Sequence, residues 1–175
     1  MTKSNIQNTK AYEKKYKTGY GVLYPESHVI RVYHTTLDYQ LHMTGGKILD
    51  FGCGNGTHLK YFQSKGFILY GCDISKVAIK RRKNLIPRYA KNFHVIPNVP
   101  DLKKYFPSDF DLIFSNQALY YLNDKDIKNI IGQLYKMLRP GGVIFATMMP
   151  PSNYYYKLVT GESDGLSRVE LKRQA

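Results

Sequence analysis

Two carboxylates and a run of glycines carry the first chemical signal. Asp50 stands two residues ahead of the cluster Gly52-Cys53-Gly54-Asn55-Gly56, and Asp73 follows Gly52 by 21 residues. Glycines let a chain turn tightly and let a ligand come close to its main chain. Where a helix opens just after such a turn, its first N–H groups converge on the bound group. A carboxylate about 20 residues further on, at the end of the next strand, can accept both hydroxyls of a ribose. The alternative for Asp73 is a turn or capping aspartate ahead of Ile74-Ser75.

The glycine spacing separates two classes of nucleoside. A dinucleotide fingerprint reads G-x-G-x-x-G. Here the spacing is G-x-G-x-G, and Thr57 stands where the third dinucleotide glycine belongs. An aspartate at position 50 would repel a pyrophosphate but suits a ligand carrying an ammonium or sulfonium group. The pattern points to S-adenosylmethionine, which has a ribose, an amino-acid end, a positive sulfur and no phosphate. A nicotinamide-dependent oxidoreductase is the disfavoured alternative.

These residues need elements to hold them, and the pattern supplies an alternation. Lys47 to Phe51 reads as a strand, Thr57 to Lys65 as a helix closed by Gly66, and Phe67 to Cys72 as a buried strand. Ser75 can cap a helix from Lys76 to Lys83. Phe93 to Ile96, Phe110 to Phe114 and Val143 to Met149 read as further strands. Between the last two, Ile127, Ile130, Ile131, Leu134 and Leu138 follow helical spacing from Asp124, and Pro140-Gly141-Gly142 is expected to stop that helix. Ahead of the first strand, Ile30, Tyr33, Leu37 and Leu41 predict a helix over Ser27 to Met43, capped by Ser27. Strands alternating with helices imply a doubly wound α/β fold with a parallel sheet. The organisation is an N-terminal arm and cap helix over 1–45, a core over 46–149 and a tail over 150–175.

Composition narrows the setting. The chain has 175 residues, 43% apolar and 22% charged, which fits one globular domain rather than a disordered segment. No apolar run approaches the ~18 residues that span a bilayer. The N-terminus is lysine-rich and lacks the apolar stretch of a secretory signal. Two cysteines, Cys53 and Cys72, make neither a disulfide framework nor a four-ligand zinc site, no metal is expected, and a cytoplasmic home is the simplest. The formal net charge of +13 attracts anions of any kind, from phosphorylated metabolites to nucleic acid. Its only tight cluster is Lys80-Arg81-Arg82-Lys83.

The run Ile48 to Thr57 resembles the first motif of class I S-adenosylmethionine-dependent methyltransferases. Phe110 to Ile113, Asn116 to Leu122 and Leu138-Arg139-Pro140-Gly141-Gly142 resemble that family's later landmarks, so the likeness covers about residues 46–149. The resemblance implies a Rossmann-like sheet of strand order 3-2-1-4-5. It also implies that the family's last strands are missing from this chain, whose tail offers at most one strand over Asp164 to Leu171. By the same resemblance, Asp50, Gly52, Gly54 and Gly56 hold the methionine end of the cofactor. Asp73 holds the ribose, Ile74 packs on the adenine, Asn98 and Val99 reach its edge, and Asn116 lies near the reacting methyl. In similar enzymes the arm closes over the cofactor, which puts Tyr20 against it.

For the reaction itself the candidates are His28 as a base, Arg31 as an anion clamp and Tyr120 beside the acceptor. The alternatives are a surface histidine, a solvated helix charge and a core aromatic. His28 and Arg31 are three apart and share a helix face. The acceptor is expected to be a small, anionic, phosphorylated or acidic sugar-like metabolite. Nucleic acid is disfavoured, because Ser115-Asn116-Gln117-Ala118 lacks the proline-bearing signature of amino-methylating enzymes. A non-catalytic cofactor-binding homologue is the remaining alternative.

Overall fold

Five short β-strands and the segments between them account for the core of the computed structural model, which describes residues 3–19, 24–163 and 165–169. Strand β1 (Gly46–Phe51) sits at the centre of the sheet, and β2 (Phe67–Asp73), β3 (Phe93–Val95), β4 (Phe110–Ser115) and β5 (Leu138–Ala146) complete it in the order β3-β2-β1-β4-β5. Every pairing is parallel. This is the doubly wound Rossmann-like order that the motifs imply.

Alternation along each strand divides the core between the two faces of the sheet. Ile48 and Leu112 join one buried cluster; Leu49 and Ile113, their neighbours in sequence, join the other. The first cluster takes Leu59 and Phe62 from α3 (Thr57–Ser64) and Ile79 from α4 (Lys76–Leu85). The second takes Ile130, Leu134 and Met137 from α5 (Asp124–Met137). Helices after β1 and β2 therefore cover one face and α5 the other, as right-handed crossovers require. The order of strands reverses between β1 and β4, and ligands bind at such a switch point.

The N-terminal elements differ from expectation. The arm forms helix α1 (Lys3–Lys17), and Glu13 Oε1 accepts the Lys76 N–H at the start of α4, 2.8 Å away. Helix α2 (Ser27–Val32) is preceded by Glu26, not capped by Ser27, and it widens into a π turn over Tyr33–Asp38. Val29, Tyr33 and Leu37 are its buried residues, spaced four apart, while Ile30 and Leu41 are exposed. The wider π turn shifts which positions face the core.

Two further boundaries move. Helix α5 ends at Met137, because Pro140 disfavours helical backbone just before it, and β5 begins at Leu138 rather than Val143. The tail forms an antiparallel hairpin of β6 (Val159–Ser163) and β7 (Leu166–Val169), not the single strand of expectation; Asp164, Glu170 and Leu171 lie outside the described residues. Among the described residues no helix is long and apolar enough to cross a membrane, and no cluster of His, Cys, Asp and Glu could hold a metal ion.

Candidate active site

A cavity of about 410 Å³ opens beyond the carboxyl ends of β1, β2 and β4, a size typical of small-molecule sites. One end is built from backbone. Gly52 and Gly54 line it, and the Gly54 N–H donates to Asp73 Oδ2 at 2.9 Å. The Ser75 N–H donates to Asp73 Oδ1 at 2.8 Å, and Ser75 Oγ accepts the Ala78 N–H at 3.2 Å as the cap of α4. The capping reading of Asp73 and the ligand reading are thus compatible, since each carboxylate oxygen accepts two hydrogen bonds. Burial raises the Asp73 pKa, and the N–H groups of Ser75, Gly54 and Ile74 oppose that rise. Ile74, Ile96 and Asn98 complete this end.

Behind the loop lies a second, hidden layer. Gly56 has φ +71, and a Cβ there would overlap Arg82 Nε, so the third glycine makes room for an arginine rather than for a ligand. Arg82 is 1% exposed although it sits inside the basic cluster read from the sequence. Among the described residues its Nε and Nη2 have no hydrogen-bond partner, and neither has Asp50 Oδ2. Burial pushes the Asp50 carboxyl up to about 8, with Arg82 pulling the other way. Burial likewise pulls the Arg82 guanidinium down to about 10. Asp50 does not line the cavity and stands behind the loop, in place of the expected contact with a ligand ammonium.

The other end of the cavity is built from side chains. Asn116, just past β4, donates from Nδ2 to Glu26 Oε2 at 2.5 Å and contacts His58 Nε2 at 3.2 Å. Its Oδ1 accepts from His28 Nε2 at 2.9 Å and from Thr147 Oγ1 at 3.0 Å. A carboxylate can only accept, so Glu26 fixes which amide atom faces it. The next residue, Gln117, has φ +56, uncommon for a side chain other than glycine. Thr147 and Glu26 hold it there: the Gln117 N–H donates to Thr147 Oγ1 at 2.7 Å and its Nε2 to Glu26 Oε1 at 3.1 Å. Burial lowers the His58 pKa, with Glu26 opposing and His28 adding to the fall.

The arm closes the mouth. Tyr16 is buried with its hydroxyl over Gly54, at the place a Cβ there would occupy. Tyr12 donates its hydroxyl proton to Tyr121 Oη at 2.5 Å. Both tyrosines line the cavity.

Of the residues expected here, the structure gathers Gly52, Gly54, Asp73, Ile74, Asn98 and Asn116 in the cavity wall, with His28 bonded to Asn116 behind it. Val99 packs into the core instead. Arg31 is exposed and lines no part of the cavity; Tyr120 is also absent from the wall, and its neighbour Tyr121 takes that place. Tyr20 lies outside the described residues. Sequence reasoning missed Glu26 and His58. The available signal for His58 was its position directly after the glycine loop, in the first turn of α3; nothing local marks Glu26. Cys53 and Cys72 are buried free thiols, as expected of small apolar residues.

The wall fits a sulfonium nucleoside better than a pyrophosphate. It presents Asp73 and Glu26, three hydroxyl- or amide-rich segments and, among the described residues, neither Lys nor Arg. Residues 49–144 match a family described as a methyltransferase domain. The chain belongs to that family, the class I S-adenosylmethionine-dependent methyltransferases. An uncharacterised methyltransferase of Synechocystis sp. is 27% identical over 113 residues, 64% of this chain and 51% of its own. A malonyl-[acyl-carrier protein] O-methyltransferase of Pectobacterium atrosepticum is 32% identical over 129 residues, 72% of this chain and 48% of its own. In fold, a TehB-like S-adenosylmethionine-dependent methyltransferase from Corynebacterium glutamicum is similar at a TM-score of 0.56 and 22% identity, over 81% of this chain and 71% of that one. The chain spans about half the length of these two relatives.

Proposed function

We propose that this chain binds S-adenosylmethionine in the cavity and transfers its methyl group to a small molecule. The observation that carries this reading is the single cavity joining Asp73 and the glycine loop at one end to Asn116, Glu26 and His58 at the other. S-adenosylmethionine supplies a methyl group already activated on a sulfonium, so the protein's share is binding, alignment and exclusion of water. Asp73 accepts from the ribose hydroxyls, Ile74 covers one face of the adenine, and the Asn98 amide meets its edge. Gly52 and Gly54 bring main chain against the methionine end. Tyr12, Tyr16 and Tyr121 close the mouth and keep water out. Asn116, clamped by four side chains, fixes the wall where the acceptor enters.

The charge of +13 favours an anionic acceptor, and a malonyl group, named for the Pectobacterium relative, carries a carboxylate. No Lys or Arg lines the cavity among the described residues, so the attraction acts as long-range steering and the anionic group stays outside the wall. Calorimetry tests the cofactor: S-adenosylmethionine should bind and NAD should not. Binding of NAD alone would overturn the reading. Transfer of labelled methyl to small acceptors separates an enzyme from a non-catalytic binder.

A further inference from the structure

The acceptor end holds two imidazoles and a carboxylate around one amide, and none of them is needed to bind a nucleoside. We infer that His58, backed by Glu26, takes the proton of a hydroxyl acceptor, so that the substrate class is an alcohol or phenol rather than a carboxylate or phosphate oxygen. This rests on the methyltransferase reading and names the substrate class of that same site.

Taking a proton requires a free lone pair on the nitrogen that faces the cavity. Asn116 Nδ2 gives one hydrogen to Glu26 Oε2 and turns its other side to His58 Nε2, 3.2 Å away. In the tautomer protonated on Nδ1, Nε2 turns its lone pair to that N–H and to the cavity, and this is the form that serves as the base. At 3.2 Å that contact is long, and an entering hydroxyl competes for the same lone pair. Glu26 Oε2 lies 3.5 Å from the same Nε2, ready to hold the imidazolium once it forms. His58 lies in the first turn of α3, where the helix dipole disfavours its charge, and its ring packs on the Phe114 edge at 5.7 Å. Among the described residues the charged and titratable groups facing it are Glu26 from the segment before α2 and His28 from α2; β4 contributes Phe114, and Asn116 just past that strand is neutral. Burial, the helix dipole and His28 favour the neutral imidazole, and Glu26 opposes them.

The reaction balances. The acceptor oxygen bonds to the methyl carbon as that carbon's bond to sulfur breaks. The sulfur keeps the bonding pair and becomes a thioether. The hydroxyl proton moves to His58 Nε2 and leaves to solvent after release. A carboxylate or phosphate acceptor has no such proton to give, and for it the pair has no use.

The test uses the full chain, S-adenosylmethionine with a labelled methyl, catechol and glycerol phosphate as hydroxyl probes, and glutarate as the carboxylate probe. Label should enter a hydroxyl probe and not glutarate. The rate should fall at acid pH along a single limb as His58 protonates. His58→Gln should lower kcat about a hundredfold and erase that limb, with the S-adenosylmethionine Kd unchanged. Glu26→Gln should keep the limb but move it to lower pH, because the carboxylate raises the His58 pKa. A merely structural role would lower the amplitude and leave the limb where it is. Label in glutarate alone, label in no probe, or an unmoved limb in both variants overturns the inference. If S-adenosylmethionine fails to bind the unmodified chain, the methyltransferase reading falls instead, and calorimetry on the same sample tells the two failures apart.

Discussion

The two ends of the cavity are made in different ways. The nucleoside end is local: Gly52, Gly54 and Asp73 come from adjacent parallel strands and the turn between them, and its hydrogen bonds run through main-chain N–H groups. The acceptor end is distant: Asn116 meets Glu26 and His28 across 90 and 88 positions of sequence, and its own contacts run between side chains. A ligand shared by many enzymes can be held by backbone geometry that tolerates change elsewhere. An acceptor particular to one enzyme needs side chains, and here they come from the arm, α3 and the segment after β4.

That contrast can be broken by substitution. The largest effect should come from Gly54→Val, where φ is +52 and the new Cβ would meet the Tyr16 hydroxyl. S-adenosylmethionine binding should weaken by more than about a hundredfold on calorimetry, while a circular-dichroism melt still shows a folded domain. Asp73→Ala should come next, weakening the same Kd by about ten- to a hundredfold. It removes charge-assisted bonds worth ~1.5–3 kcal/mol and frees the Gly54 and Ser75 N–H groups. An unchanged Kd would separate Asp73 from the ribose.

Asp50 sharpens the comparison, because it supports the loop from behind without touching the cavity. Its folded carboxyl keeps its proton up to about 8, whereas the unfolded one ionises near 3.8. The folded state therefore binds more protons in that window, and stability falls as pH rises through it. The slope is at most about 1.4 kcal/mol per pH unit. Urea melts of Asp50→Asn across the window should show a flatter profile than the unmodified chain; equal slopes would contradict a buried, protonated carboxyl. The smallest effect should be Ser75→Ala, which removes the α4 cap at 3.2 Å. It should lower stability by about 1 kcal/mol in the same urea melts, with cofactor binding altered only slightly.

Much of the nucleoside end was legible because it follows short-range rules. Strand, glycine turn and helix succeed one another within a few residues, and the capping Ser75 behaved as its type predicts. Arg82 was not legible: in the sequence it is one of four consecutive basic residues, and only the helix packing turns it inward under Gly56. The same holds for Val29 replacing Ile30 in the core, since a π turn changes the periodicity that the spacing assumes.

The sequence by itself determined the order of strands and helices, the glycine loop and the carboxylate across from it, because local backbone preference and apolar alternation are written residue by residue. Only the tertiary structure decided that Glu26, His58 and Asn116 share one wall with His28 bonded behind it, that Tyr121 and not Tyr120 faces it, and that Asp50 lies behind the loop beside Arg82. Those outcomes depend on how the arm and the helices settle on the finished sheet, and contacts across so many positions leave no periodic trace in the chain.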